Sequence, residues 1–333
     1  MPDQQRMSGE DDFIQAYFAP LAAGHPGSFG LNDDCAALTP EPGHDIVLKT
    51  DAIAEGVHFL PGDAPDDIAW KAVAVNVSDL AAKAARPVGY LMSLAFPQMP
   101  ERDWMAKFAD GLRRAQDSFG ITLMGGDTDR RPNAPLSVSI MVLGSVPTGR
   151  MVRRATAQAG DIIYVSGTLG DSGLGLRLRT GAIAADAIGP SERQALEQRY
   201  LRPDPRIGLR NALLDHARAA MDLSDGLAKD LGRMCRASGV GAEVDQCHVP
   251  LSAPARAVIG ARRDLQLLPL NGGDDYEILA AIAPEQATAF EAAANQAAIP
   301  VTAIGRFTAG NGVIITGRDG KKLDLPVSGY DHF

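Results

Sequence analysis

The sequence predicts an α/β protein of layered sheets and helices in two domains. Three observations lead there. Strand-like and helix-like stretches alternate through both halves of the chain. The pattern restarts after the turn Pro147-Thr148-Gly149-Arg150. And 333 residues with 45% hydrophobic content are enough for two cores of ordinary size. The expected domains are 1–148 and 149–333.

The elements follow in order. Glu10 to Leu21 reads as a helix with Phe13, Ile14, Tyr17, Phe18 and Leu21 on one face. A glycine-rich loop runs from Gly24 to Gly30. Cys35 to Leu38 and Ile46 to Thr50 read as strands around the turn Pro40-Glu41-Pro42-Gly43. Asp66 to Ala85 is a helix with acidic residues at its start, stopping before Arg86-Pro87. Val88 to Phe96 reads as a strand. Glu101 to Phe119 reads as an amphipathic helix closed by Gly120. Ile121 to Met124 is expected to be a short buried strand ending in Gly125-Gly126-Asp127. From Leu136 to Val146 apolar and polar residues alternate, as in a half-exposed strand.

In the second half, Asp161 to Ser166 reads as a strand. It runs into a turn with Gly167, Gly170 and Gly173, and then a helix. Arg199 to Asp204, with Pro203 and Pro205, reads as a rigid connection. Ala219 to Met221 reads as a strand leading into Asp222-Leu223-Ser224-Asp225-Gly226, and Leu227 to Ser238 as a helix. Tyr276 to Ile282 and Val301 to Ile304 read as strands around an alanine-rich helix, Pro284 to Ala298. There is no short-period repeat.

Composition narrows the function. The formal net charge is −9, from 32 basic and 41 acidic residues. That argues against nucleic acid as the main partner, because a phosphate backbone calls for a basic face. No apolar run approaches the length of about 18 residues needed for a membrane span. Met1 to Asp12 is polar and acidic, unlike a signal peptide. The three cysteines, Cys35, Cys235 and Cys247, have no C-x-x-C spacing and cannot all pair. A reduced, cytoplasmic protein is expected. Cys35 is read as a small buried residue opening a strand, rather than as a working thiol.

The chemistry lies in the aspartates. Asp33-Asp34, Asp51, Asp79, Asp127 and the pair Asp222/Asp225 sit at the ends of apolar runs, and there is no Walker P-loop. Each aspartate alone reads as a turn or cap residue. Jointly they predict a divalent-metal site assembled by folding, since strand ends are where α/β enzymes place ligands. Oxygen-only donors suit Mg²⁺, which bridges carboxylates and substrate phosphates. Phosphoryl transfer is therefore the expected chemistry. Such crowded carboxylates repel one another and raise each other's pKa unless cations are present.

Several residues admit two readings. Ser224 and Asp225 offer oxygens to a metal or phosphate, or cap the helix after them. Arg150, Arg153 and Arg154 offer one bidentate phosphate contact, or form a solvated basic loop. Lys49 and Lys71 are weaker phosphate candidates. The glycine turn at 167–173 lacks G-x-G-x-x-G spacing and either exposes N–H groups to a phosphate or is a tight strand-to-helix turn. Of six histidines, His58 lies close in sequence to the aspartates, as a ligand contact or a structural ring.

Taken in order, the motifs resemble the thiamine-monophosphate kinases. They are Asn32-Asp33-Asp34-Cys35-Ala36, Lys49-Thr50-Asp51, Gly56-Val57-His58-Phe59 and Ala74-Val75-Asn76-Val77-Ser78-Asp79-Leu80-Ala81. Gly125-Gly126-Asp127-Thr128, Met221-Asp222-Leu223-Ser224-Asp225-Gly226-Leu227, Asn271-Gly272-Gly273-Asp274-Asp275-Tyr276-Glu277 and Gly329-Tyr330-Asp331-His332-Phe333 continue them. The resemblance covers nearly the whole chain. It implies the two-domain fold of the aminoimidazole-ribonucleotide synthetases and selenophosphate synthetases. In that fold the amino-terminal domains pair into a homodimer, and ATP binds in a cleft near the interface of the two domains.

The resemblance also implies that ATP phosphorylates thiamine monophosphate to thiamine diphosphate with the help of several Mg²⁺ ions. Carried onto this sequence, Asp34, Lys49, Thr50, Asp51, Asp79, Asp127, Asp222 and Asp225 match metal positions. Gly126, Asp127, Arg154 and Ser224 match ATP contacts, and His58 and Asp274 match substrate contacts. Asp51, Asp127 and Asp225 are the expected catalytic carboxylates. The chain departs from the family in four places. Asn32 stands for the usual glycine. Lys49 replaces a small hydroxyl residue, so a metal contact there comes from its backbone carbonyl. Asp274 replaces the commoner glutamate. Leu325-Pro326-Val327-Ser328 lacks the aromatic residue that often packs on the substrate. The rival expectations are another ATP-dependent synthetase or ligase of this fold, or a nucleotide- and metal-binding scaffold without turnover.

Overall fold

A computed structural model describes residues 10–184 and 188–323. The terminal Gly329 to Phe333 motif and the Leu325 to Ser328 segment lie outside the described residues. The chain divides into two compact units, Met1–Val77 with Pro87–Thr148, and Ser78–Arg86 with Gly149–Phe333.

In the first unit, helix α1 spans Glu10–Tyr17 and α2 spans Ala19–Ala22. The single helix expected over Glu10 to Leu21 is thus broken. Pro20, which has no N–H to donate, sits in the first turn of the second piece. Strands β1 (His44–Ala54), β2 (Arg86–Phe96), β3 (Thr122–Arg130) and β4 (Ser137–Pro147) form one sheet in the order β1-β4-β2-β3. β1 and β4 are antiparallel with Asp51 opposite Ile140, whereas β2 and β3 are parallel. β4 alternates buried Val138, Ile140 and Val142 with half-exposed neighbours, as its sequence pattern requires.

Two expectations in this unit need correction. Cys35 to Leu38 forms no strand, and Cys35 is exposed rather than buried. The segment is held instead by Ala37 N–H donating to Gly27 C=O at 2.8 Å. Four residues running towards Pro40, which cannot donate, have too little ladder to form. The strand expected to stop at Met124 continues through Gly125-Gly126-Asp127 to Arg130, pairing with β2 after a register shift between Tyr90 and Leu91. Gly126 permits this, because a Cβ there would lie 2.0 Å from Met92 O.

Helix α3 spans Pro65–Ala82 and α4 spans Arg102–Phe119. The division between the units falls inside α3, with residues from Ser78 onward grouped in the second. In α4, Met105, Phe108, Leu112, Ala115 and Phe119 share the buried face at helical spacing, and Gly120 closes the helix in a left-handed conformation. Trp104 stacks on Phe108 with ring centroids 5.2 Å apart and meets Phe96 edge-on. Full burial of a ring such as Phe108 contributes roughly 1.5–3 kcal/mol.

The second unit carries a mixed six-stranded sheet in the order β10-β7-β9-β5-β8-β6. Its strands are β5 (Ile162–Ser166), β6 (Ala217–Leu223), β7 (Gly241–Asp245), β8 (Glu277–Ile282), β9 (Val301–Thr308) and β10 (Gly312–Thr316). Its helices are α5 (Asp171–Arg179), α6 (Pro190–Leu201), α7 (Arg210–His216), α8 (Leu227–Ser238), α9 (Ala253–Ala261), α10 (Leu268–Asn271) and α11 (Ala287–Gln296). Because α6 runs to Leu201, the connection expected from Arg199 begins later.

Every residue of β8 is buried, so its two faces serve two cores. Leu279 and Ala281 face a cluster with Leu227, Leu231 and Met234 of α8. Ile278, Ala280 and Ile282 face another with Leu213 of α7, Phe290 of α11 and Ala81 at the end of α3. Period-two alternation thus places helices on both sides of the sheet. A third cluster joins α5, α6, α9 and α10 through Leu174, Leu196, Val258 and Leu268.

The close α3–α4 contact gives a stability prediction. A Cβ at Gly111 would lie 2.5 Å from Asp66 O and 2.9 Å from the Ala69 Cβ. Gly111→Ala gains at most about 1 kcal/mol of helix propensity. Forcing the two backbones apart costs about 1–3 kcal/mol. The expected result is a lower urea midpoint. An equal or higher midpoint means that the helices separate freely.

Candidate functional site

In the first unit a cavity of about 670 Å³ is lined by Asp33, Asp34, Cys35, Gly126 and Asp127, with Ser93 of β2 opposite. The register of β2 and β3 sets Asp127 beside Ser93. Three expected residues, Asp34, Gly126 and Asp127, are therefore brought together. The loop carrying Asp34 contains left-handed Phe29, Gly30 and Leu31. Asn32 follows at φ −104, where no glycine is needed. Its side-chain amide donates to Gly30 C=O at 3.1 Å and holds the turn.

Asp51 does not line that cavity. It lies within β1, where its N–H donates to Asn76 Oδ1 at 2.8 Å. Asn76 is buried on α3 and returns a longer bond to Asp51 C=O. The strand is thereby pinned to the helix at the expected catalytic position. The carboxylate of Asp51 pairs with Lys49 Nζ at 3.1 Å, both side chains being partly exposed. Thr50 Oγ1 donates to Ile140 C=O at 3.0 Å.

His58 has a structural bond: its Nδ1 accepts Ala54 N–H at 3.1 Å. The neutral ring therefore carries its proton on Nε2. His58 C=O accepts the Lys71 ammonium at 2.8 Å, and Lys71 is only 2% exposed. That burial removes Lys71 as a phosphate candidate.

The second unit holds Asp79, Asp222 and Asp225. Asp222 Oδ2 accepts Ser78 Oγ at 2.9 Å, and both residues are buried. Asp222 lies inside β6, opposite Ile278. Asp225 faces two cations, Arg233 Nη2 at 2.5 Å and Lys229 Nζ at 3.4 Å. The capping reading of Ser224 and Asp225 is overturned. The residue at the start of α8 is Gly226, at φ +107, and no side chain caps it.

The two N–H groups of Ser224 and Asp225 are taken instead by Asp230 Oδ2, at 3.1 and 2.9 Å. Asp230 has no exposed surface and pairs with Arg233 at 2.8 Å. Burial, opposed by the bond from Asp225 N–H, pushes its carboxyl pKa up to about 6. The sequence signal for Asp230 was its place on the apolar stripe Leu227, Leu231, Met234. A carboxylate there requires a buried partner.

The Gly272 to Glu277 segment lies beside this loop. Asp274 N–H donates to Ser224 C=O and Tyr276 N–H to Leu223 C=O, both at 2.8 Å. Gly273 is required by the approach, since a Cβ would lie 2.5 Å from Ser224 O. Asp274, Ser224 and Asp225 thus share one neighbourhood.

The glycine turn at 167–173 is a strand-to-helix turn. Gly170 N–H donates to both oxygens of Asp275, and Asp171 accepts Thr168 Oγ1 and Ser252 Oγ. The protein's own carboxylates occupy the place a phosphate would take. Arg153 and Arg154 are exposed, while their carbonyls accept Ala220 N–H and Ser238 Oγ. Arg150 is spent on Leu214 C=O at 2.7 Å. Among the described residues, no three His, Cys, Asp or Glu side chains are grouped to hold a metal ion by themselves.

Two family models match the chain. Residues 32–146 match AIR synthase related protein, N-terminal domain, and residues 158–318 match AIR synthase related protein, C-terminal domain. The thiamine-monophosphate kinase of Caulobacter vibrioides is 41% identical over 307 residues, 91% of this chain and 85% of that protein. The crystal structure of thiamine-monophosphate kinase from Stenotrophomonas maltophilia K279a is 41% identical. It superposes with a TM-score of 0.80 over 88% of this chain and 91% of its own. The complex of AaThiL with AMPPCP and TMP is 32% identical, with a TM-score of 0.77 over 98% of this chain and 97% of that one. On its motifs, its fold and these likenesses, the chain belongs to the thiamine-monophosphate kinase family, among the AIR synthase related proteins.

Proposed function

We propose that this protein transfers the terminal phosphoryl group of ATP to thiamine monophosphate, forming thiamine diphosphate. The observation that carries the reading is the full-length likeness to AaThiL, a protein whose complex holds AMPPCP and TMP. The acceptor explains the residue types. A phosphate monoester has a second pKa of about 6, so it is largely anionic at neutral pH and needs no general base. The difficulty is to bring two polyanions into line. A site rich in aspartate and poor in histidine suits that task.

The donors fit magnesium. They are hard oxygens, set as pairs and single groups rather than as a closed cage. Mg²⁺ is usually held by one or two carboxylates and completed by substrate phosphates and water. Asp34, Asp51 and Asp127 in the first unit, and Asp79, Asp222 and Asp225 in the second, would hold the ions, with Thr50 and the Lys49 carbonyl beside Asp51. When bound, such ions neutralise the phosphates and polarise the transferred group.

Gly126, Asp127, Arg154 and Ser224 contact ATP in this reading, and His58 and Asp274 contact thiamine monophosphate. Asp51, Asp127 and Asp225 are the catalytic carboxylates, and transfer is direct. A trapped phosphoprotein would overturn direct transfer.

β1 is an edge strand of eleven residues, and Leu48 on it is 62% exposed. Such an edge favours pairing with a second copy, in support of a homodimer. Cys35, Cys235 and Cys247 are all free thiols, and among the described residues no helix is long and apolar enough to cross a membrane. Both facts support a cytoplasmic protein.

Product identification after incubation with ATP, Mg²⁺ and thiamine monophosphate tests the activity. Thiamine diphosphate and ADP in equal amounts are expected, and EDTA abolishes both. ADP formed with a different acceptor means another synthetase of this fold, and ATP bound without ADP means a scaffold. Asp51→Asn is expected to lower kcat about 100-fold with little change in KM, as for loss of a group acting on the transition state. Asp274→Ala is expected to raise the KM for thiamine monophosphate about tenfold, equivalent to about 1.4 kcal/mol. If both variants move only the KM for ATP, these roles are wrong.

A further inference from the structure

Asp274 and Tyr276 both have left-handed backbones, with φ of +65 and +52. Neither is a glycine. For a residue as bulky as tyrosine that conformation is an outlier that persists only when its surroundings enforce it. The surroundings here do so from both sides.

On one side are the two backbone bonds from Asp274 and Tyr276 to Ser224 and Leu223. On the other, the intervening Asp275 is buried, with both carboxylate oxygens on Gly170 N–H at 3.0 and 2.9 Å. Arg199 Nη2 donates to Asp275 C=O at 3.3 Å and to Glu277 Oε1 at 2.8 Å. One guanidinium therefore spans Tyr276. Glu277 has no exposed surface, and four donors saturate it. Besides Arg199 these are Arg206 Nη2 at 2.5 Å, Arg206 Nε at 2.7 Å and Ser166 Oγ at 2.6 Å.

A wholly buried carboxylate with two guanidiniums adds little net stability, because desolvation offsets most of the attraction. What it supplies is a fixed geometry. That geometry has a visible consequence: the folded-back Tyr276 donates its hydroxyl to Asp274 Oδ1 at 3.2 Å.

We propose that Tyr276 is a positioning residue, held left-handed by the Arg199–Glu277 clamp so that its hydroxyl orients the Asp274 carboxylate for thiamine monophosphate. The inference rests on the reading of Asp274 as a substrate contact. No proton or group is transferred. The hydroxyl restricts the carboxylate to one orientation before substrate arrives, which lowers the cost of binding.

The test uses the full chain and four variants: Tyr276→Phe, Arg199→Lys, Asp274→Ala and the double variant Tyr276→Phe/Asp274→Ala. Steady-state constants for both substrates are measured, with urea unfolding alongside. Tyr276→Phe deletes one oxygen and is expected to raise the KM for thiamine monophosphate about three- to tenfold. The KM for ATP stays where it was. In the Asp274→Ala background the same substitution has no further effect, since it acts through that carboxylate. Arg199→Lys keeps the charge but replaces the planar guanidinium, whose Nη2 bonds both Asp275 C=O and Glu277, with a flexible ammonium, and raises the same KM.

If Tyr276→Phe raises the KM equally in both backgrounds, or leaves it unchanged while Asp274→Ala raises it, the positioning role is overturned and the substrate contact stands. If Asp274→Ala itself leaves that KM unchanged, the substrate contact falls and this proposal falls with it. A lower urea midpoint with both KM values unmoved assigns the network to stability alone, and overturns the proposal.

Discussion

The antiparallel ladder between β6 and β8 does not stop where the strands stop. It ends its regular register at Leu223 opposite Glu277. It then continues through Tyr276 N–H to Leu223 C=O and Asp274 N–H to Ser224 C=O. Two irregular segments are thus aligned by a sheet. Neither has regular dihedral angles, since Gly226, Asp274 and Tyr276 all take positive φ. Yet the ladder sets the position of Asp222, Ser224, Asp225 and Asp274 relative to one another. Their backbone N–H groups are accounted for as well: Asp230 takes those of Ser224 and Asp225. Side chains carried on segments held in this way have less entropy to lose when they bind a ligand.

So many acidic groups in one unit need separate electrostatic solutions, and the solutions divide them by role. Asp230, Asp275 and Glu277 are buried and hydrogen-bonded within the protein, Asp230 and Glu277 by several donors and Asp275 by the single N–H of Gly170. Burial raises the Asp275 carboxyl well above the usual range, despite the Gly170 N–H and Arg199 that favour its charge. These groups hold the backbone and have no lone pair directed at solvent. Asp225 in the second unit and Asp51 in the first are different. Each is partly exposed; Arg233 beside Asp225 is also held by the buried Asp230, and each carboxylate in addition faces a lysine, Lys49 or Lys229. A pair of that kind is weak in water and easily exchanged. The cation that neutralises the carboxylate can give way to another. Burial and donor count, rather than the mere presence of a carboxyl, therefore distinguish the groups that build the loop from Asp51 and Asp225, which stay partly exposed.

Much of the fold was legible from periodicity. The amphipathic stripe of α4, the start and stop of α8 and the alternation in β4 needed no tertiary information. The misreadings share a cause: local signals were weaker than a partner distant in sequence. Gly125-Gly126 reads as a strand end, but against β2 it permits an approach that continues β3. Cys35 to Leu38 reads as a strand, but a strand needs a neighbour. Around the site, the aspartates stood out because each follows an apolar run. Asn76, Asp230 and the Glu277 clamp did not, because their meaning lies in their partners. Glu277 meets Arg199 and Arg206 across 78 and 71 residues of sequence. Nothing in a single sequence announces such a pairing.

The absence of a ready-made cage among the described residues bears on how a kinase of this family would use its metal. A site that bound Mg²⁺ with protein ligands alone would have to satisfy a near-octahedral shell, and would then have few positions for phosphate. Small groups of carboxylates do the reverse. They leave the shell incomplete, so the substrate phosphates are needed to finish it. In such a site metal affinity would be low without nucleotide and high with it, and by linkage the nucleotide would bind better with metal. The same sparseness aids release, because product departure removes ligands from the ion and weakens its hold. What such an arrangement demands of the protein is accurate placement of a few oxygens. In this chain the ladder, Asp230 and the buried Glu277 fix the backbone around Asp222, Ser224, Asp225 and Asp274.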